Sequence, residues 1–263
     1  MHTIIDGDGL LYQAAYNVAS VPKAYDKLVD KVTQLTQMDW DQSGNFTMFI
    51  EGKGNWRRDV FPQYKAPRKK TQAVDPNAQL RWGLAQYLID NSIVIPAVGC
   101  ESDDLVRRKA ETMRRRGQEY IVVSADKDLD VVVGPHVKFN TKWQLEYYEV
   151  DQEESDYNYF YQLLVGDGID NIKSPRLLGK AKATKLLENT KPEDWRAMVE
   201  KEYRDRCGSE WFHAIMFTGS LIHIQRAKDD FFVWDKDKGS WFDLGFQGPP
   251  KCYDYTKIQL GEE

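Results

Sequence analysis

Apolar and polar positions alternate along this chain in blocks that read as strand, helix, strand. Thr3 to Asp6 is a short apolar run closed by an acid. Gly7 and Gly9 then lead into helical spacing from Leu10 to Ala19. Leu28, Val32 and Leu35 put one apolar face on a helix over 24–38, and Phe46 to Ile50 is a second strand ending at Glu51. A helix is expected over about 76–90 and a third strand at Ile93 to Ile95. Ser102 is the expected N-cap of a charged helix that Gly117 stops, and Ile121 to Val123 reads as a buried parallel strand. Val137 to Phe139 and Trp143 to Val150 suggest a hairpin. Later helices are expected at Tyr157 to Val165, Lys180 to Leu187 and, as a pair, over 193–228. A hairpin is expected from Phe231–Trp234 and Ser240–Phe242. This order gives an α/β fold with a central, mostly parallel sheet flanked by helices.

The acids fall at the ends of these blocks. Asp6 and Glu51 close the first two strands, Glu101, Asp103 and Asp104 open a helix, and Asp126 and Asp128 follow the strand at 121–123. In an extended chain, Asp126 and Asp128 would point the same way. Taken singly, each acid is a cap or a turn residue. Together, at the carboxyl ends of parallel strands, they stand where open α/β sheets bind ligands. So many carboxylates repel unless a cation sits among them, and hard Mg²⁺ or Mn²⁺ is the natural partner. Asp167 and Asp170, at i and i+3 beyond the helix at 157–165, add two more.

Composition narrows the chemistry. With 263 residues, 41% of them hydrophobic, the chain can bury a large core, and no run reaches the ~20 apolar residues of a membrane span. Cys100, Cys207 and Cys252 are far apart and the four histidines do not cluster, which disfavours a zinc or histidine-based site and suits a reducing cytoplasm. The net charge of −5 hides a basic stretch. Arg57, Arg58, Lys65, Arg68, Lys69 and Lys70, with Trp56 and Tyr64 among them, suit nucleic acid, where bases stack and phosphates pair with cations. Lys180, Lys182 and Lys185, on a helix preceded by Gly179, suit a phosphate backbone.

These residues resemble the flap endonuclease and 5′-3′ exonuclease family, especially its bacteriophage members of the 5′-exonuclease and RNase H types. The resemblance runs in order over about 3–190: Asp6-Gly7-Asp8; Asn55 to Arg58 with Tyr64 to Arg68; Glu101-Ser102-Asp103-Asp104; Ser124-Ala125-Asp126-Lys127-Asp128; and Gly166-Asp167-Gly168-Ile169-Asp170-Asn171. It implies a PIN-like catalytic domain over 1–150, with a helical arch at about 52–92. A helix-three-turn-helix and C-terminal region over 151–263 would pack with it as one compact unit. It further implies two Mg²⁺ ions, replaceable by Mn²⁺, about 4 Å apart. Asp6, Glu51, Glu101 and Asp103 would hold one; Asp126, Asp128, Asp167 and Asp170 the other, with Asp104 nearby. Lys65 and Arg68 would face the scissile phosphate. Arg57, Arg58, Tyr64, Lys69, Lys70 and the three helix lysines would hold nucleic acid.

Two positions depart from the family pattern. Glu51 stands where an Asp is usual, and Leu177-Leu178-Gly179 lacks the first hairpin glycine. The expected activity is metal-dependent cleavage from 5′ ends of flap, nicked or duplex DNA, with the RNA of RNA–DNA hybrids as a further substrate, in primer removal or DNA degradation. The alternatives are a non-cleaving DNA-binding relative and a PIN-like RNase. Replication proteins are candidate partners, no membrane is implied, and a monomer in the cytoplasm (a bacterial host's, for a phage protein) is expected.

Overall fold

Six strands form one sheet in the order β3-β2-β1-β4-β5-β6, with β1 (His2–Asp6), β2 (Phe46–Lys53), β3 (Ile95–Val98), β4 (Tyr120–Ser124) and β5 (Gly134–Phe139) parallel and β6 (Leu145–Val150) antiparallel to β5. The computed structural model describes residues 1–36, 45–66, 75, 77–172 and 178–234. It divides into two compact units, Met1–Trp56 with Lys70–Asp151 and Arg57–Lys69 with Gln152–Glu263. The segment 57–69, expected with the catalytic domain, groups with the second unit.

In the first unit the sheet is covered on both faces. Strand alternation sends Ile5, Met48, Ile50 and Val123 to one face, where they pack with Leu10, Leu28, Leu84 and Leu88 of α1 (Gly7–Ala15), α2 (Val21–Thr36) and α4 (Ala78–Asp90). Ile4, Phe49 and Val122 take the other face, against which α5 (Ser102–Arg115) packs through Val106 and Ala110. The third strand begins at Ile95, two residues later than expected, because α4 closes with a turn through Asn91 and Ser92.

Gly7 is required where β1 becomes α1. A Cβ there would lie 2.7 Å from Ile50 Cγ2 and 2.8 Å from the Phe49 carbonyl oxygen. Gly7→Ala is therefore expected to cost about 2–4 kcal/mol by overpacking against backbone, read as a lowered urea midpoint at unchanged slope.

The second unit is helical: most of α3 (Trp56–Val60), then α6 (Gln152–Val165), α7 (Lys180–Glu188), α8 (Trp195–Cys207) and α9 (Trp211–Ile222). Its core is aromatic, and buried polar tips find partners: Tyr203 Oη donates to the Leu163 carbonyl at 2.6 Å, and Trp195 Nε1 to the Leu187 carbonyl at 3.0 Å. Residues 231–234 form no strand; Phe232 and Trp234 are buried instead, and the expected hairpin's other arm lies outside the described residues.

A buried ionic clasp closes this unit. Asp230 accepts from Arg226 Nε at 2.8 Å and from a terminal guanidinium nitrogen at 2.9 Å, and meets His223 Nε2 at 3.1 Å. Burial raises the acid's pKa, but these partners outweigh it and hold the carboxyl well below the usual range. A depressed folded value gives stability that is complete above the unfolded pKa of about 3.9 and is lost as pH falls below it. Asp230→Asn is thus expected to lose about 2–3 kcal/mol at pH 7. The gap from the parent protein should close as unfolding is followed below about pH 4.

Candidate active site

The carboxyl ends of β2, β1 and β4 lie side by side at the centre of the sheet, and the strand order reverses direction between β1 and β4. Asp6 stands at that switch point as the N-cap of α1, 5% exposed. Ser124 Oγ, at the end of β4, donates to Asp6 Oδ2 at 2.8 Å, and the Asp8 N–H approaches Oδ1 at 3.4 Å. Burial, and then the charge of Asp8, push the Asp6 carboxyl up to about 7; Ser124 opposes this, and Asp126 adds to it.

Asp8, quoted within a motif but not counted among the candidate ligands, links three elements. It accepts from the Glu51 N–H, at 3.2 Å on Oδ1 and 3.1 Å on Oδ2, and from Ser102 Oγ at 3.0 Å. The signal for it was an acid two residues beyond a strand-ending acid, with glycine on either side.

Glu101, not Ser102, is the N-cap of α5. It forms a reciprocal capping box with Asp104, whose Oδ2 accepts from the Glu101 N–H at 3.0 Å. Asp104 is wholly buried, so it fixes the helix start, while Asn55 Nδ2 donates to Glu101 Oε1 at 2.9 Å. Asp103 is half-buried in the same turn and Glu51 is exposed.

Asp126 and Asp128 do not alternate as in a strand. The chain turns into a 3₁₀ helix at Lys127–Val131, with Asp126 Oδ1 accepting from the Asp128 N–H at 2.9 Å. Lys127 Nζ lies 2.8 Å from Asp128 Oδ1. The Asp126 N–H donates to Ser124 Oγ at 2.9 Å, so one hydroxyl joins Asp126 to Asp6.

Asp167 and Asp170 belong to the second unit. Asp167 Oδ1 accepts from the N–H groups of Ile169 at 2.7 Å and Asp170 at 3.2 Å, forming an Asx turn. Asp170 Oδ2 accepts from Tyr64 Oη at 3.2 Å and lies 3.7 Å from Lys65 Nζ. Lys65 takes φ +56°, and its N–H donates to the Asp170 carbonyl at 2.9 Å.

Two residues expected to contact nucleic acid are buried in this fold. Arg57 is 1% exposed, its guanidinium donating to the carbonyls of Leu221 (3.0 Å from Nε) and His223, so its charge serves the helical core. Tyr64 is 3% exposed with its hydroxyl on Asp170, leaving no face for a base. Arg58, Lys180, Lys182 and Lys185 are exposed; Arg68, Lys69, Lys70 and Leu177 lie outside the described residues.

Among the described residues no three His, Cys, Asp or Glu side chains close on one point, so the two expected ligand sets are not drawn together as finished spheres. The donors around Asp6 nevertheless fit a hard cation. They are all oxygen, and the crowding of Asp8 and Asp126 around a buried acid is the electrostatic debt that a divalent ion relieves.

The sequence matches the family described as 5′-3′ exonuclease, N-terminal resolvase-like domain, over residues 1–159. It is 25% identical over 185 residues to a thermostable DNA polymerase I of Thermus caldophilus, covering 61% of this chain and 21% of that one. It is also 25% identical over 207 residues to a 5′-3′ exonuclease of Mycoplasmopsis pulmonis, covering 72% of this chain and 66% of the other. The chain therefore spans about a fifth of the polymerase and just under two thirds of the exonuclease. The fold is similar to that of a bacteriophage T5 flap endonuclease in a complex with DNA and metal ions, with a TM-score of 0.56 at 14% identity, covering 84% of this chain and 94% of that one. The first unit is thus the PIN-like α/β fold expected from the sequence.

Proposed function

Because the chain belongs to the 5′-3′ exonuclease family defined by the N-terminal resolvase-like domain, we propose that it hydrolyses phosphodiesters at 5′ ends and 5′ flaps of DNA with divalent metal. The observation that carries this reading is the gathering of acids at the carboxyl ends of β1, β2 and β4 around buried Asp6. A mechanism that uses hard cations needs an oxygen-only cradle at a fixed point of a rigid sheet, and that is what these ends provide.

Asp6, Asp8 and Asp126 would hold Mg²⁺ or Mn²⁺, with Glu51, Glu101 and Asp103 closing the cradle. Bound ions would supply Lewis acidity, polarising the phosphate and making a bound water a better nucleophile. Ser124 orients Asp6 and Asp126 through one hydroxyl. Asp104 acts as a positioning residue, keeping the α5 start, and so Glu101, in place. Asn55 holds Glu101 from the other side. Asp8 ties the end of β2 and the start of α5 to the Asp6 turn, so the three acid-bearing segments move together.

On the second unit, Lys180, Lys182 and Lys185 are exposed on α7 and would grip duplex phosphates without reading sequence. Replacing all three by Gln is expected to lower the salt dependence of duplex binding by about 2–3 units in the slope of log affinity on log salt. Anisotropy titrations at several salt concentrations measure it.

The reading is tested with 5′-labelled and 3′-labelled flap, nicked and RNA–DNA hybrid duplexes, in Mg²⁺, in Mn²⁺ and in chelator. Short 5′-labelled products that need metal are expected. The hybrid lane reads the RNase H expectation. A stable complex without products in either metal would replace this reading with that of a non-cleaving DNA-binding relative.

A further inference from the structure

The first unit carries a cleft of about 1100 Å³ between α1 and the β5–β6 hairpin. Its lining begins at Gly9 and Ala125, the residues next in sequence to Asp8 and before Asp126. Tyr12 and Tyr16 line it from the α1 side and are 49% and 67% exposed. The hairpin contributes Lys138, Asn140 and Gln144. Two exposed aromatic rings along one wall of a cleft form the kind of contiguous patch that marks a ligand-binding groove.

The cleft is preformed. Gln13 Nε2 donates to the Asn140 carbonyl at 3.0 Å, joining α1 to the hairpin. At the hairpin tip, Trp143 Nε1 donates to Gln34 Oε1 at 2.7 Å and Lys31 Nζ sits 3.5 Å from the Trp143 ring centroid, which anchors the tip to α2. Arg81, on α4, places its guanidinium 3.8 Å from the Tyr12 ring centroid. That guanidinium also pairs with Asp75, so the cleft itself sets the open Tyr16 ring beside Lys138, Gln144 and Glu146.

We propose that this cleft holds unpaired nucleotides of the strand that reaches the carboxylates, with Tyr16 as its stacking platform. Bases stack on tyrosine whatever their sequence, Lys138, which also faces Asp130 at 3.9 Å, meets phosphate, and the Gln144 amide nitrogen, whose oxygen accepts from Asn140 Nδ2, reaches base edges. A cleft lined by the neighbours of Asp8 and Asp126 suits a polymer that continues to those acids better than a free small molecule. The identity of the polymer rests on the nuclease reading; the cleft itself does not.

The test is photocrosslinking of the full chain to a single-stranded oligodeoxynucleotide carrying 5-iododeoxyuridine, in chelator, with adducts mapped by mass spectrometry. Adducts on the peptide holding Tyr12 and Tyr16 are expected. Tyr16→Leu should lower affinity for the unpaired oligonucleotide about tenfold. Binding of blunt duplex should change less than twofold, and Tyr16→Phe should retain both affinities. Adducts confined to other segments, or equal weakening of both ligands by Tyr16→Leu, would overturn the proposal. The flap-cleavage assay on the same preparation separates the two readings. Cleavage with no adduct at the cleft sinks the cleft alone. Adducts at the cleft without metal-dependent cleavage keep the cleft and sink the nuclease.

Discussion

Asp6→Asn is expected to lower metal-dependent cleavage at least ~10³-fold, or about 4 kcal/mol of barrier, while leaving duplex binding in place. The substitution keeps the shape of the side chain and can still accept from Ser124 Oγ. It removes the charge on which Asp8 and Asp126 press. In chelator, therefore, the variant should be more stable than the parent at pH 8, by about 1–3 kcal/mol. The sign follows from the raised acid. A group whose pKa is higher in the folded chain contributes stability at low pH and loses it as pH rises through the folded value, here about 7. Activity assays with urea melts at pH 5 and pH 8 measure both limbs. Retained cleavage would move the site away from Asp6; lower stability at pH 8 would mean that the carboxylate is already compensated within the fold.

Arg57→Ala is expected to destabilise the second unit by about 3–5 kcal/mol, the largest stability effect predicted for any single basic residue here. The side chain is 1% exposed and its donors satisfy the Leu221 and His223 carbonyls at the end of α9. Truncation leaves those buried acceptors without partners and opens a cavity. Arg58, next in sequence and exposed, is the control and should stay within about 0.5 kcal/mol. Chemical unfolding of the pair separates the two roles. If Arg57→Ala weakened DNA binding with stability unchanged, the buried guanidinium would have to be read as a surface contact after all.

That pair shows what the sequence holds and what it withholds. Adjacent arginines in a basic run look identical, because burial is decided by which helix end comes to meet them, and Leu221 is 164 residues away. Strands were legible where apolar residues are continuous, as at Ile4–Ile5 and Ile121–Val123, since a parallel sheet covered on both faces demands it. The acid positions were legible for the same reason: polar residues at the end of an apolar run have few places to go. Their geometry was not. Asp126 and Asp128 were expected to share a face by strand alternation, but β4 ends at Ser124 and the acids enter a 3₁₀ turn instead. Asp104, expected beside the metal ions, is one half of a capping box with Glu101. Asp8 was not legible as a hub, because its links to Glu51 and Ser102 run to segments 43 and 94 residues away.

The hydrogen bond from Ser124 to Asp6 spans 118 residues, so the site depends on a closure between distant parts of the chain. During synthesis β1 is made long before β4, so the acid at the centre of the sheet waits without its neighbour. Local helices such as α2 can form early, but the parallel pairing of β1 with β4 is a late, long-range closure. Until that closure the acids are dispersed along a loose chain, where water screens them from one another. The proposed cradle therefore needs β4 and the turn after it, because a chain stalled before β4 emerges carries Asp6, Asp8 and Glu101 but neither Ser124 nor Asp126.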